Sequence, residues 1–76
     1  MECFWKYRVK MKIPFFNVKN TWSFEEHDAA NNIFNTFAVL VRIYGGQVIL
    51  ARRQEIFGVA LSSKWEIIDI VEGEES

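Results

Sequence analysis

Near the start of the chain, apolar and basic residues alternate one by one. Trp5, Tyr7, Val9, Met11 and Ile13 interleave with Lys6, Arg8, Lys10 and Lys12. Successive side chains of a strand point to opposite faces. The segment therefore predicts a strand from about Phe4 to Ile13, apolar on its inner face and cationic on its outer one. Pro14 has no N–H for a ladder and ends it. The alternation then lapses. With Asn17 and Asn20 as turn formers, Phe15 to Thr21 reads as a short irregular strand or a loop.

The period next changes to 3.6. Ser23-Phe24-Glu25-Glu26 has the form of a capping box, with Ser23 as N-cap and Glu26 at N3. Trp22 is placed to staple onto His27 or its neighbours, and Glu25, Glu26 and Asp28 suit the positive end of a helix dipole. Ala30, Ile33, Phe34, Phe37, Val41 and Tyr44 form one apolar stripe that stops at Gly45-Gly46, a natural C-cap. A hairpin joining 39–44 to 47–53 through the two glycines is the competing reading. The helix is preferred, because nothing ends it between Thr36 and Val39 and the stripe persists to Tyr44.

Gln47 to Arg53 predicts a strand, Ile56 to Leu61 a second one interrupted by Gly58, Ser62 to Lys64 a turn, and Trp65 to Val71 a final strand. The expected fold is a small single α+β domain over residues 1–72 in the order β-α-β-β-β. One mostly antiparallel sheet carries one helix on one face, and residues 73–76 form an acidic tail.

Composition narrows what such a domain can do. Of 76 residues, 50% are hydrophobic and 16% aromatic, which excludes a disordered chain. A domain this small buries only ~60% of the surface its unfolded chain exposes. Some apolar surface is therefore left for a partner or a second copy. Trp5, Tyr7, Phe34, Phe37 and Trp65 read as core, whereas Phe4, Phe15, Phe16, Trp22 and Phe57 do not all fit one inner face. The net charge of −1 is not that of a dedicated nucleic-acid binder. The charges are segregated: residues 1–20 hold five bases against Glu2, and residues 65–76 hold Glu66, Asp69, Glu72, Glu74 and Glu75 with no base. Pairing of the two ends as neighbouring strands is the expectation, two separate electrostatic poles the alternative.

Chemistry has few carriers. Cys3 is the only cysteine, so no internal disulfide or cysteine zinc site is expected, and a reducing, cytoplasmic setting fits. The start of the chain lacks the apolar run of a signal peptide, and no run approaches the ~20 residues of a membrane helix. His27 sits between Glu26 and Asp28 on an exposed first turn, with no nucleophile implied beside it. Neither Glu25/Glu26 nor Glu66/Asp69 is fixed at a hydrolytic spacing, and Gly45-Gly46 leads into a strand rather than opening a helix. No catalysis, metal or cofactor is expected.

Interaction is better supported. The four cations of the first strand span ~20 Å. They serve either as a solvated face that resists edge aggregation or as an electrostatic patch for an acidic protein or nucleic acid. Asn31, Asn32, Asn35 and Thr36 give the helix a neutral polar face, which an interface can cover without desolvating charge. The candidate partner-binding residues are Lys6, Arg8, Lys10 and Lys12, with Phe16 and Trp22 as ring anchors and Asn31, Asn32 and Asn35 on the helix. The expectation is a non-enzymatic protein-binding module, with a nucleic-acid-binding module as runner-up and a homodimer as a further option. In size and chemistry the chain resembles the compact inhibitor proteins of phages and other mobile elements, anti-CRISPR proteins among them. That is a likeness of class with no motif behind it.

Overall fold

A computed structural model describes residues 4–56, 59–60 and 64–73. The N-terminal alternation forms β1 (Phe4–Ile13), with Val9, Met11 and Ile13 buried and Lys10 and Lys12 exposed. Pro14–Phe16 make one 3-10 turn, and Asn17, in the left-handed region at φ 53°, donates its N–H to the Pro14 carbonyl at 2.9 Å. That reversal launches β2 (Val18–Phe24), antiparallel to β1 in a register running from Ile13↔Val18 to Tyr7↔Phe24. The segment expected to be irregular is thus a turn followed by a regular strand. As an edge strand, β2 is exposed along most of its length and lacks the apolar–polar contrast that marks a strand in sequence; only Trp22 and Phe24 are half-buried.

The capping box does not form. Ser23 lies in β2 opposite Arg8. α1 (His27–Tyr44) starts later, with Glu26 as an extended N-cap that makes no side-chain capping bond. A cap stabilises by only ~1 kcal/mol. Keeping β2 paired as far as Tyr7↔Phe24 seats Trp22 flat on Phe37, centroids 4.8 Å apart and planes 15° apart, and that burial outweighs the cap. Trp22 therefore packs on the helix and not on His27. Trp22→Ala is expected to cost about 3 kcal/mol of stability in urea unfolding, whereas Ser23→Ala is expected to cost under about 0.5 kcal/mol. Equal effects would contradict this assignment.

The helical stripe packs as its period predicts. Ala30, Phe34, Ala38 and Val41 are buried, with Ile33, Phe37, Leu40 and Tyr44 around them. Residues 39–44 are helical, which rules out the hairpin. Gly45 caps the helix by donating its N–H to the Val41 carbonyl at 2.8 Å. The chain then enters β3 (Gly46–Ile56), β4 (Val59–Ala60) and β5 (Glu66–Gly73). All pairings are antiparallel. β3 lies beside β1, and β4 and β5 both pair with the other edge of β3. The result is a small α+β domain with one sheet and the helix across one face. Val9, Met11, Ile13, Val48 and Leu50 of the sheet meet Ala30, Phe34, Ala38 and Val41 of the helix.

The two charged ends do not pair. β3 separates β1 from β5, because the crossover through α1 brings β3, not β5, alongside β1. The acids of β5 meet β3 instead: Glu66 lies 3.3 Å from Arg52, and Glu72 accepts from Gln47 at 2.9 Å. Gly73, assigned from sequence to the tail, is the last residue of β5, paired with Gly46. Of the strand expected over 56–61, Ile56 instead ends β3 and Val59–Ala60 form β4, and Leu61 lies outside the described residues. Cys3, Phe57, Gly58, Ser62, Ser63 and residues 74–76 lie outside the described residues.

Candidate functional site

The helix covers one face of the sheet. Alternation and register define the other. It carries Lys6, Arg8, Lys10 and Lys12 of β1, facing Arg53, Ala51, Ile49 and Gln47 of β3, and Ser23, Thr21 and Lys19 of β2 lie opposite Arg8, Lys10 and Lys12. On β5, Ile67, Ile70 and Glu72 continue this face. The stripe read from sequence is therefore the centre of a wider cationic surface that also takes in Lys19 and Arg53. Lys10, Lys12 and Lys19 are exposed, Lys6 and Arg8 half-buried. Of the adjacent arginines, Arg53 joins this face, while Arg52 turns to the other, 4.1 Å over the Trp5 ring and paired with Glu66.

Like charges stand directly opposite each other twice, at Lys12↔Lys19 and Lys6↔Arg53. Such pairs are destabilising. The second is relieved by Glu55, which lies 2.9 Å from Arg53. Among the described residues Lys12 and Lys19 have no ion pair. Lys19→Glu is expected to raise stability by about 0.2–1 kcal/mol, read as a higher urea midpoint. A lower midpoint would show that the pair is not repulsive.

Trp65, expected in the core, lies over the cationic face. The guanidinium carbons of Arg8 and Arg53 are each 4.4 Å from its ring centroid, and Ala51 between them is 2% exposed. The Arg8 Nε is buried with no hydrogen-bond partner among the described residues. Burial, and secondarily the charge of Arg53, lower the Arg8 pKa from its usual value. Beside this cluster runs an apolar strip: Ile67 is 59% and Ile70 41% exposed, and Ile49 is half-buried.

The remaining candidates fall elsewhere. Phe16 is exposed at the β1–β2 turn, in a ring cluster with Phe15 and Tyr44. Trp22 is on the helix side of the sheet, against Phe37. Asn32 and Asn35 are exposed on α1 and Asn31 half-buried, with Thr36 Oγ1 donating to the Asn32 carbonyl at 2.9 Å. The helix asparagines and the lysines thus occupy opposite sides of the molecule and cannot meet one flat partner together.

A cleft of 670 Å³ opens where β1 extends past the end of β2, lined by Phe4 to Tyr7, Glu25, His27 and Glu55. The His27 ring lies edge-on to Tyr7, centroids 5.3 Å apart, and its Nδ1 is 3.6 Å from Asp28. Among the described residues, no hydroxyl or thiol nucleophile of Ser, Thr or Cys lines the cleft. Among the described residues, no cluster of three or more His, Cys, Asp or Glu is arranged to hold a metal, and no helix is long and apolar enough to cross a membrane. Comparison with protein-family models, curated proteins and solved structures finds no match to this chain. Its fold and site define it as a small α+β domain with a cationic, partly apolar open sheet face.

Proposed function

We propose that the protein is a non-enzymatic binding module that sets its open sheet face against an acidic, apolar-centred surface of another protein and occludes that surface. The observation that carries this reading is the exposure of Lys10, Lys12 and Lys19 on the same face as Ile67 and Ile70. Cations select an acidic surface and speed encounter, and exposed aliphatic groups gain from being covered. With strands ~4.8 Å apart and ~3.4 Å of rise per residue, the face measures about 500 Å². That falls below the ~800 Å² per partner of a standard interface and fits one completed by residues at its rim.

A protein fits this face better than a nucleic acid. Single-stranded nucleic acids stack their bases on free rings, and here both arginines already lie against Trp65. The strip beyond β3 is aliphatic and bordered by Glu72, which repels phosphates. Occlusion of this kind matches the inhibitor class that the sequence resembles, working in the cytoplasm.

The test is capture by the immobilised protein from a lysate, with and without nuclease, beside the helix-face variant Asn32→Arg/Asn35→Arg. The proposal expects one discrete protein, retained after nuclease and by the helix-face variant. Loss on nuclease treatment would reassign the face to nucleic acid. Loss in the helix-face variant alone would move the interface to α1.

A further inference from the structure

Resting on that reading, we propose that Arg8 and Arg53, held against Trp65 on the open face, form a subsite that receives a carboxylate side chain of the partner protein. Four cations converge there. Arg8 lies between Lys6 and Lys10 along the outer face of β1, and Arg53 stands directly opposite Lys6. Glu55 is the counter-charge within ion-pair distance among the described residues, and it serves Arg53. Among the described residues, the buried Arg8 Nε has no hydrogen-bond partner. The cross-strand neighbours of Arg8 are small, Ser23 on one side and Ala51 on the other, and neither brings a carboxylate to it.

The Trp65 ring answers how two arginines are kept together without an acid between them. Contact with the face of an indole attracts each guanidinium and offsets part of their mutual repulsion. It also fixes both side chains before the partner arrives, so less freedom is lost on binding. A planar, preset fork matches a carboxylate through two parallel N–H···O bonds, a geometry that lysine cannot supply. Repulsion within the cluster falls when one negative charge enters. Glu55 and Glu72 on the same face favour a single carboxylate over an extended polyanion.

The experiment is a nitrogen–proton NMR titration of the labelled full chain, reading the Arg8 Nε–H and the Trp65 indole N–H. The probes are hexaglutamate peptide and, separately, inorganic phosphate. The two signals are expected to shift together and saturate with hexaglutamate. Arg8→Lys, which keeps the charge and removes the fork, is expected to weaken that binding at least tenfold. Arg42→Gln, exposed in the last turn of α1 on the helix side, is expected to change it less than threefold. If Arg8→Lys perturbs the fold, judged from its amide spectrum, Arg53→Lys serves as the second variant with the same tenfold expectation. Wild-type binding by the folded Arg→Lys variant would overturn the subsite, since any cation would then suffice. Saturation by phosphate and not by hexaglutamate would overturn the carboxylate assignment. Either result can stand while the wild-type chain still captures its partner, so failure of the subsite is distinct from failure of the docking face.

Discussion

Lys10→Glu/Lys12→Glu is expected to weaken capture of the partner protein at least ~100-fold, a change of about 2.7 kcal/mol, with the melting temperature within a few degrees of wild type. Both lysines are exposed and lie on the outer face of β1, away from the helix. Reversal leaves Val9, Met11 and Ile13 in the core untouched. It also replaces the repulsive Lys12↔Lys19 pair with an attractive one, so the fold should lose little. The partner meets two carboxylates where it met two ammonium groups, and like charges across an interface cost several kcal/mol. Arg8 is the poorer choice for this experiment because its guanidinium lies against Trp65 and a change there disturbs the face itself. Unchanged capture would reduce the stripe to a solvated surface. A broad loss of stability would show that Lys10 and Lys12 are structural. Binding is read by titration calorimetry and stability by thermal circular dichroism.

The largest effect on stability is expected from two glycines. Gly46 opens β3 at φ +109°, a region L side chains rarely adopt, and a Cβ there would strike the carbonyl oxygen of Lys12. A Cβ on Gly73, its partner across β5, would strike the carbonyl oxygen of Val41 at the end of the helix. The pair thus lets β1, the helix C-terminus and β5 approach backbone to backbone where three elements converge. Neither obstacle is a flexible side chain that can move aside. Gly46→Ala and Gly73→Ala are each expected to cost about 3 kcal/mol or more. Domains of this size have roughly 4–11 kcal/mol in total, so the double variant should be largely unfolded at room temperature. Urea unfolding followed by tryptophan fluorescence checks this. A loss under about 1 kcal/mol at either site would contradict the close approach.

These effects trace back to what the chain shows before it is folded. β1 and α1 are legible because each buries one side and exposes the other, so hydrophobicity repeats at two residues in Phe4–Ile13 and at about 3.6 in His27–Tyr44. β2 is not, since an edge strand exposed over most of its length gives no such contrast. The false capping box at Ser23 is a local signal overruled by the pairing of β2 and the packing of Trp22. Lys6, Arg8, Lys10 and Lys12 follow directly from the alternation of β1. The rest of the face does not, because which strands flank β1 is settled by the crossover through α1 rather than by any nearby residue. Strict alternation also fails in β5. It would put Trp65, Ile67, Asp69 and Val71 on one side, but the irregularity at Leu50/Ala51 breaks the count. Val71 then packs on the core while Ile67 faces outward beside the cations.

Residue-level labelling of the complex tests the central claim most directly. Lysines are acetylated and carboxylates amidated in the free and bound protein, and the change at each site is read by mass spectrometry. The account predicts strong protection of Lys10, Lys12 and Lys19 on binding, with Asp28 on the helix side labelled as in the free chain. Protection of Asp28 with Lys10, Lys12 and Lys19 still fully reactive would contradict it and place the partner on the helix.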